Sequence, residues 1–127
     1  MRGTKEDPSR VLSHREIALT FPILPGMSDQ VLHLATELSG PRAEDFRQSQ
    51  RNLGVRKESW FLNTSPRGDS VTVYIEAANV NRLLRNLIAS QTDVDLWLKT
   101  EVRRVTGIDF GGSFQVSLPK QILRYLA

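Results

Sequence analysis

Cysteine is absent from the 127 residues, so disulfides, thiolate metal ligands and thiol nucleophiles are excluded. Histidine is almost as scarce. His14 and His33 stand far apart without a metal-type spacing, so no metal and no cofactor is expected. No apolar run approaches the roughly 18–20 residues that span a bilayer. Residues 1–13 are charged and polar where a signal peptide would be apolar. The expectation is a cytoplasmic protein without a membrane segment. Charge of one sign is also in short supply: 17 Lys and Arg against 14 Asp and Glu leave +3. Part of that excess lies in the N-terminal stretch as Arg2, Lys5 and Arg10, so a pI near 9.7 overstates the case for nucleic acid. Arg67-Gly68 opens the Arg-Gly-aromatic signature of RNA-recognition domains. Asp69 and Val71 then occupy the positions of the stacking aromatics, and no nucleic-acid partner is expected. Glycine-rich phosphate loops and Ser-His-Asp constellations are missing too.

What is present is the composition of a globular domain, 39% hydrophobic and 24% charged. A chain of this length can remove roughly two thirds of its unfolded surface from water. The division read from the sequence is a polar N-terminal extension over 1–13 and one domain over 14–127. Ile17, Leu19 and Phe21 alternate with Ala18 and Thr20 as a strand with one buried face, ended by Pro22 and Pro25-Gly26. Ser28 is placed to cap a helix with Val31, Leu34, Ala35 and Leu38 on one stripe. Gly40-Pro41 kinks or splits it, and the second part carries Ala43, Phe46 and Leu53 up to Gly54. Strand-like residues around Trp60, Phe61 and Leu62 lead through Ser65-Pro66-Arg67-Gly68-Asp69 to a strand of Val71, Val73 and Ile75.

Asn79 is placed to cap a helix of Val80, Leu83, Leu84, Leu87 and Ile88. Thr92 or Asp93 opens another with Val94, Trp97, Leu98, Val102 and Val105, closed by Gly107. Phe114, Val116 and Leu118 alternate as a last strand before a short tail from Pro119. The order is strand, helix, strand, strand, helix pair, strand. With right-handed crossovers this predicts an α+β fold of the ferredoxin-like βαββαβ plan, an antiparallel sheet with helices on one face.

The hairpin decides which side chains share the other face. A type I turn at Pro66-Arg67 followed by a left-handed bulge residue at Gly68 makes a three-residue loop, with Ser65 opposite Asp69. Counting back pairs Leu62 with Thr72, Trp60 with Tyr74 and Glu58 with Glu76 on the helix-free face. Such a face leaves an apolar patch that calls for a cover. The expected cover is the same face of a second copy, giving a dimeric α+β barrel with a cleft inside. Glu58 opposite Glu76 sets like charges against each other, a cost relieved by water, a cation or a raised carboxyl pKa.

The runs Glu58-Ser59-Trp60-Phe61-Leu62, Ser65-Pro66-Arg67-Gly68-Asp69 and Val73-Tyr74-Ile75-Glu76-Ala77 resemble a family of small bacterial proteins of unknown function. Further matches are Phe21-Pro22-Ile23-Leu24-Pro25-Gly26, Gly40-Pro41-Arg42, and the stretch from Trp97 to Val105-Thr106-Gly107-Ile108-Asp109, so the likeness runs from Ile17 to Asp109. It implies a dimeric α+β barrel similar in shape to cofactor-free monooxygenases, and it implies no activity. Residues 111–127 and the N-terminal extension stand outside it.

Three readings of function follow. The leading one is a homodimer, formed through the open sheet face, that binds a small, partly apolar molecule against Trp60, Tyr74, Leu62 and Glu76. An enzyme reading uses the same cleft without a cofactor, in the manner of monooxygenase- or isomerase-like barrels. It takes Glu58 or Glu76 as proton acceptor and Tyr74 or His14 as hydrogen-bond donor. The third is a purely structural dimer in which Trp60 and Tyr74 are interface packing.

Overall fold

A computed structural model describes residues 15–110 and 118–127 of the chain. The alternating stretches form β1 (Glu16–Pro22), β2 (Val55–Asn63) and β3 (Ser70–Ala77). The periodic stretches form α1 (Ser28–Ser39), α2 (Ala43–Leu53), α3 (Val80–Ala89) and α4 (Asp93–Thr106). The strands make an antiparallel sheet in the order β1-β3-β2, with β3 central. Ile17, Leu19 and Phe21 of β1 and Val71, Val73, Ile75 and Ala77 of β3 point to one side. There they meet Val31, Val80, Leu83, Val105 and Phe110 in a single core. Each of these side chains larger than Ala77 contributes about 1.5–3 kcal/mol on burial. Phe21 and Phe110 meet edge to face with centroids 5.6 Å apart.

Local chemistry sets the helix ends. Gly40-Pro41 splits the first helical region, and α2 ends at Gly54, whose φ of 78° is the left-handed stop that its type allows. The Asn79 side chain caps α3 by accepting from the Arg82 N–H, and Thr92 caps α4 by accepting from the Asp95 N–H. Ser28 does not cap α1. It is the first helical residue, and its hydroxyl donates instead to the Asp69 carboxylate at 2.6 Å.

The register of the central hairpin differs from the expected one by one residue. Asn63 pairs with Ser70, Leu62 with Val71, Trp60 with Val73 and Glu58 with Ile75, while Phe61 faces Thr72, Ser59 faces Tyr74 and Lys57 faces Glu76. Because side chains alternate with period two, this slip moves the whole of β2 to the opposite face. Trp60, Glu58 and Leu62 therefore lie on the helix side, and Tyr74 and Glu76 on the open side. The cause lies in the loop. Ser65 to Gly68 closes a four-residue turn through a Gly68 N–H to Ser65 carbonyl bond of 3.0 Å. Asp69 is shared between the loop and the rest of the chain: its carbonyl accepts from the Ile23 N–H at 3.0 Å, one carboxylate oxygen accepts from the Ser28 hydroxyl, and the other accepts from the Ser65 N–H at 3.4 Å. The extra residue of the hairpin appears at the far end, where the register shifts between Val55 and Lys57.

The expected last strand is not tested by most of its residues, since Phe114 and Val116 lie outside the described residues. Leu118 is described and is not in a strand. The C-terminal residues that follow lie against the helix-free face: Gln121 donates to Glu16 at 3.0 Å and Arg124 to the same carboxylate at 3.3 Å. No helix among the described residues is long and apolar enough to cross a membrane.

Candidate functional site

On the helix side of β2, alternation aims Glu58 and Trp60 at the amphipathic flank of α2. Phe46 and Gln50 sit one turn apart there and face the strand. The Trp60 indole N–H donates to one Glu58 oxygen at 2.7 Å, and the Gln50 amide donates to the other at 2.8 Å. Both oxygens are engaged by neutral donors, each keeping a second lone pair. Among the described residues no ion pair includes Glu58. These groups form the floor of a groove of about 360 Å³ whose other walls include Ala35, Leu38, Phe46, Arg56 and Lys57. Behind it, a narrow apolar gap of about 80 Å³ between sheet and helices shares Phe46, Gln50, Glu58 and Trp60 with the groove.

The open face carries a different constellation. Glu76 stands opposite Glu16 in the β1–β3 register, so the like-charge pair expected with Glu58 occurs with a different partner. The Tyr74 hydroxyl donates to Glu76 at 2.7 Å. That bond first, then burial and the nearby Glu16 charge, pushes the Tyr74 phenol up to about 12. Tyr74 is therefore a donor held protonated, unsuited to act as a base. Arg124 and Gln121 compensate Glu16, and the Lys57 ammonium lies 5.9 Å from the Tyr74 ring centroid. A cleft of about 530 Å³ under the C-terminal residues is bounded by Arg15, Glu16, Arg56, Tyr74, Glu76 and Arg124.

The residues singled out in the sequence thus divide between two places. Trp60 and Glu58 share the groove, and Tyr74 and Glu76 share the open-face cleft; the cross-strand pairings of Trp60 with Tyr74 and of Glu58 with Glu76 do not occur. Leu62 is on the helix side at 38% exposure. His14 lies outside the described residues, and His33 is exposed on α1. No group of three or more metal-ligating side chains gathers among the described residues.

A buried polar cluster escaped the sequence reading. Asp95 accepts from the Ser49 and Ser90 hydroxyls, binding α2 and the α3–α4 junction to the start of α4. The Lys99 ammonium donates to the carbonyls of Leu87, Ile88 and Ser90 at 2.9–3.0 Å, satisfying the C-terminal end of α3. Asp95 and Lys99 are four apart and fall on the stripe with Val94, Leu98, Val102 and Val105. Polar residues at core-stripe positions were the available signal. Compared with known protein families, curated proteins and solved structures, the chain matches none of them.

Proposed function

We propose that this chain is a small-molecule-binding protein whose ligand occupies the groove between α1, α2 and β2, within one subunit. The observation that carries this reading is Glu58, a half-buried carboxylate set beside an indole in a concavity of about 360 Å³ that Arg56 and Lys57 also line. That volume falls in the ~300–1,000 Å³ range of ligand pockets, and its walls combine apolar side chains with charged and polar residues that can orient a ligand. Trp60 and Gln50 pre-organise the carboxylate, so a ligand would meet an oriented acceptor.

The chain is further proposed to follow the ferredoxin-like plan and to resemble the small bacterial family in its β2–β3 hairpin. The order β1-β3-β2 supports this, since that plan places its first three strands so. A homodimer through the open face is the second reading. It is favoured by Phe61, 55% exposed on that face, and by Ile122, Leu123 and Tyr125 at 81–88% exposure in the segment lying against it.

The test of the groove is a fluorescence titration of a W97F variant, which leaves Trp60 as the reporter, against a set of small metabolites. A saturable change lost in a variant with Ala35→Phe, which fills the groove without adding an indole, is expected. Saturation that survives the filled groove sinks the site. Sedimentation of the full chain tests the dimer, with a monomer at all concentrations as the outcome against it.

A further inference from the structure

We infer that the ligand is a single-chain amphiphile, a small molecule whose polar head stays in the groove while an unbranched alkyl chain enters the gap behind it. The inference rests on the proposed reading of the groove as a ligand site and names the chemistry of its occupant. Three observations converge. The two spaces adjoin along shared walls, since Phe46, Gln50, Glu58 and Trp60 line both. Their chemistry differs. Beyond the shared residues, the groove carries Ser39, Arg56 and Lys57 beside Ala35, Leu38 and Val55, a mouth of mixed polarity. The gap is bounded by Leu19, Val73 and Ile75 of the sheet and by Leu83, Leu87 and Leu98 of the helices. Its polar members are bonded to one another, Ser49 to Asp95 and Gln50 to Glu58. Third, the helix layer stops short of closing over the sheet. Leu84, Leu87, Leu98 and Val102 stand on the inward stripes of α3 and α4, yet each is only half-buried, and all four line the gap.

Size and lining decide the occupant. The gap holds about 80 Å³, roughly half of the ~150 Å³ apolar cavity that accepts benzene. An aromatic ring is too large for it, and water is poorly served by walls that are mostly hydrocarbon. An extended alkyl chain, one methylene wide, matches the gap and restores the dispersion contacts that its walls lack. A head of either charge is accommodated at the mouth, where Arg56, Lys57 and Glu58 present both signs. The selection therefore falls on the chain.

The experiment uses the full chain carrying W97F, so that Trp60 fluorescence reports. The probes are butan-1-ol, hexan-1-ol and octan-1-ol, with cyclohexanol as the ring of the same carbon number as hexan-1-ol. Affinity is expected to rise about fourfold per methylene, the worth of burying one CH₂, and to level off once the gap is filled. Cyclohexanol should bind about tenfold or more weakly than hexan-1-ol, because the ring does not enter. Leu98→Phe, which narrows the gap and lies outside the groove, should flatten the series. In the unaltered protein the terminal methyl of hexan-1-ol should show nuclear Overhauser contacts to the Leu87 and Leu98 methyls. That readout stands even if Leu98→Phe does not fold. Saturable binding with no gain along the series, or cyclohexanol binding as tightly as hexan-1-ol, overturns the alkyl-chain assignment while the groove remains a ligand site. A gain that persists in Leu98→Phe without those Overhauser contacts puts the chains on the outer surface and overturns it too. Absence of any Trp60 response to all four probes at millimolar concentration overturns both.

Discussion

Two strands of one sheet carry the same local device in opposite directions. On β2 an indole donates to a carboxylate two residues away, Trp60 to Glu58; on β3 a phenol does so, Tyr74 to Glu76. What differs is the surroundings. Glu58 faces helices and shares its groove with the Gln50 amide, apolar side chains, Arg56 and Lys57. Glu76 faces another glutamate, Glu16, which pairs with Arg124 and accepts from Gln121, while Lys57 stands opposite Glu76 in the β2–β3 register. The comparison teaches that a carboxylate bonded to an aromatic donor is not thereby a site. What separates the two is the surface each faces, the helices for Glu58 and a second carboxylate across the strands for Glu76.

The largest effect should come from the register that separates the two faces. Trp60→Ala removes a half-buried ring packed against the core and leaves Glu58 with a single donor, so a loss of about 2–3 kcal/mol is expected in denaturant unfolding, below the 3–5 typical of a fully buried aromatic. Phe61→Ala, next along the strand, removes a ring that is 55% exposed on the open face and should cost about 0.5 kcal/mol or less. Equal losses, or a larger one at Phe61, would break the comparison, because they are what the shifted pairing of Trp60 with Tyr74 would produce.

That same hairpin marks the boundary of what could be read in the sequence. Strand alternation, the split at Gly40-Pro41, and the caps at Asn79, Thr92, Gly54 and Gly107 all depend on residues within a few positions, and they occur where the local pattern puts them. The register does not. It turns on Asp69 bonding Ile23 and Ser28, residues more than forty positions away, and no count along the hairpin contains that competition. The acids and aromatics of both constellations were visible as residue types, but their grouping followed the register and changed with it. Gln50 was hidden for another reason: α2 is so polar that nothing marks which amide turns inward. Asp95 and Lys99 were passed over because apolar spacing alone defines the α4 stripe, while a carboxylate and an ammonium satisfied by hydroxyls and helix-end carbonyls can share it.

Charge removal gives a smaller and more discriminating contrast. Glu76→Gln keeps an acceptor for Tyr74 and relieves the opposition to Glu16, a cross-strand term of about 0.2–1 kcal/mol, so the unliganded protein should be unchanged or slightly stabilised. Glu58→Gln has no like charge to relieve. Its amide nitrogen would confront one of the two donors that the carboxylate now accepts, and a loss of about 1 kcal/mol is expected in thermal or denaturant unfolding. If both changes stabilise the fold equally, Glu58 too sits in a repulsive network and the distinction between the faces fails.

The finest contrast is in pH. The folded-state pKa of Tyr74 is raised from its ordinary value of 10.0 to about 12, chiefly because ionising the phenol would forfeit its bond to Glu76, with burial and then the nearby Glu16 charge adding to the effect. For a group raised in this way, the stabilisation is complete below the unfolded pKa near 10 and fades as pH rises through the folded pKa. The tyrosinate absorbance of the native protein should therefore contain a component titrating near 12 that disappears in Tyr74→Phe. In Glu76→Gln that component should move down toward 10, and unfolding stability between pH 10 and 12 should decline less steeply than in the unaltered chain. On the groove side no tyrosine contributes, so Glu58→Gln should leave this titration untouched. A shift in that variant would mean that the two constellations communicate through the sheet and cannot be treated as separate sites.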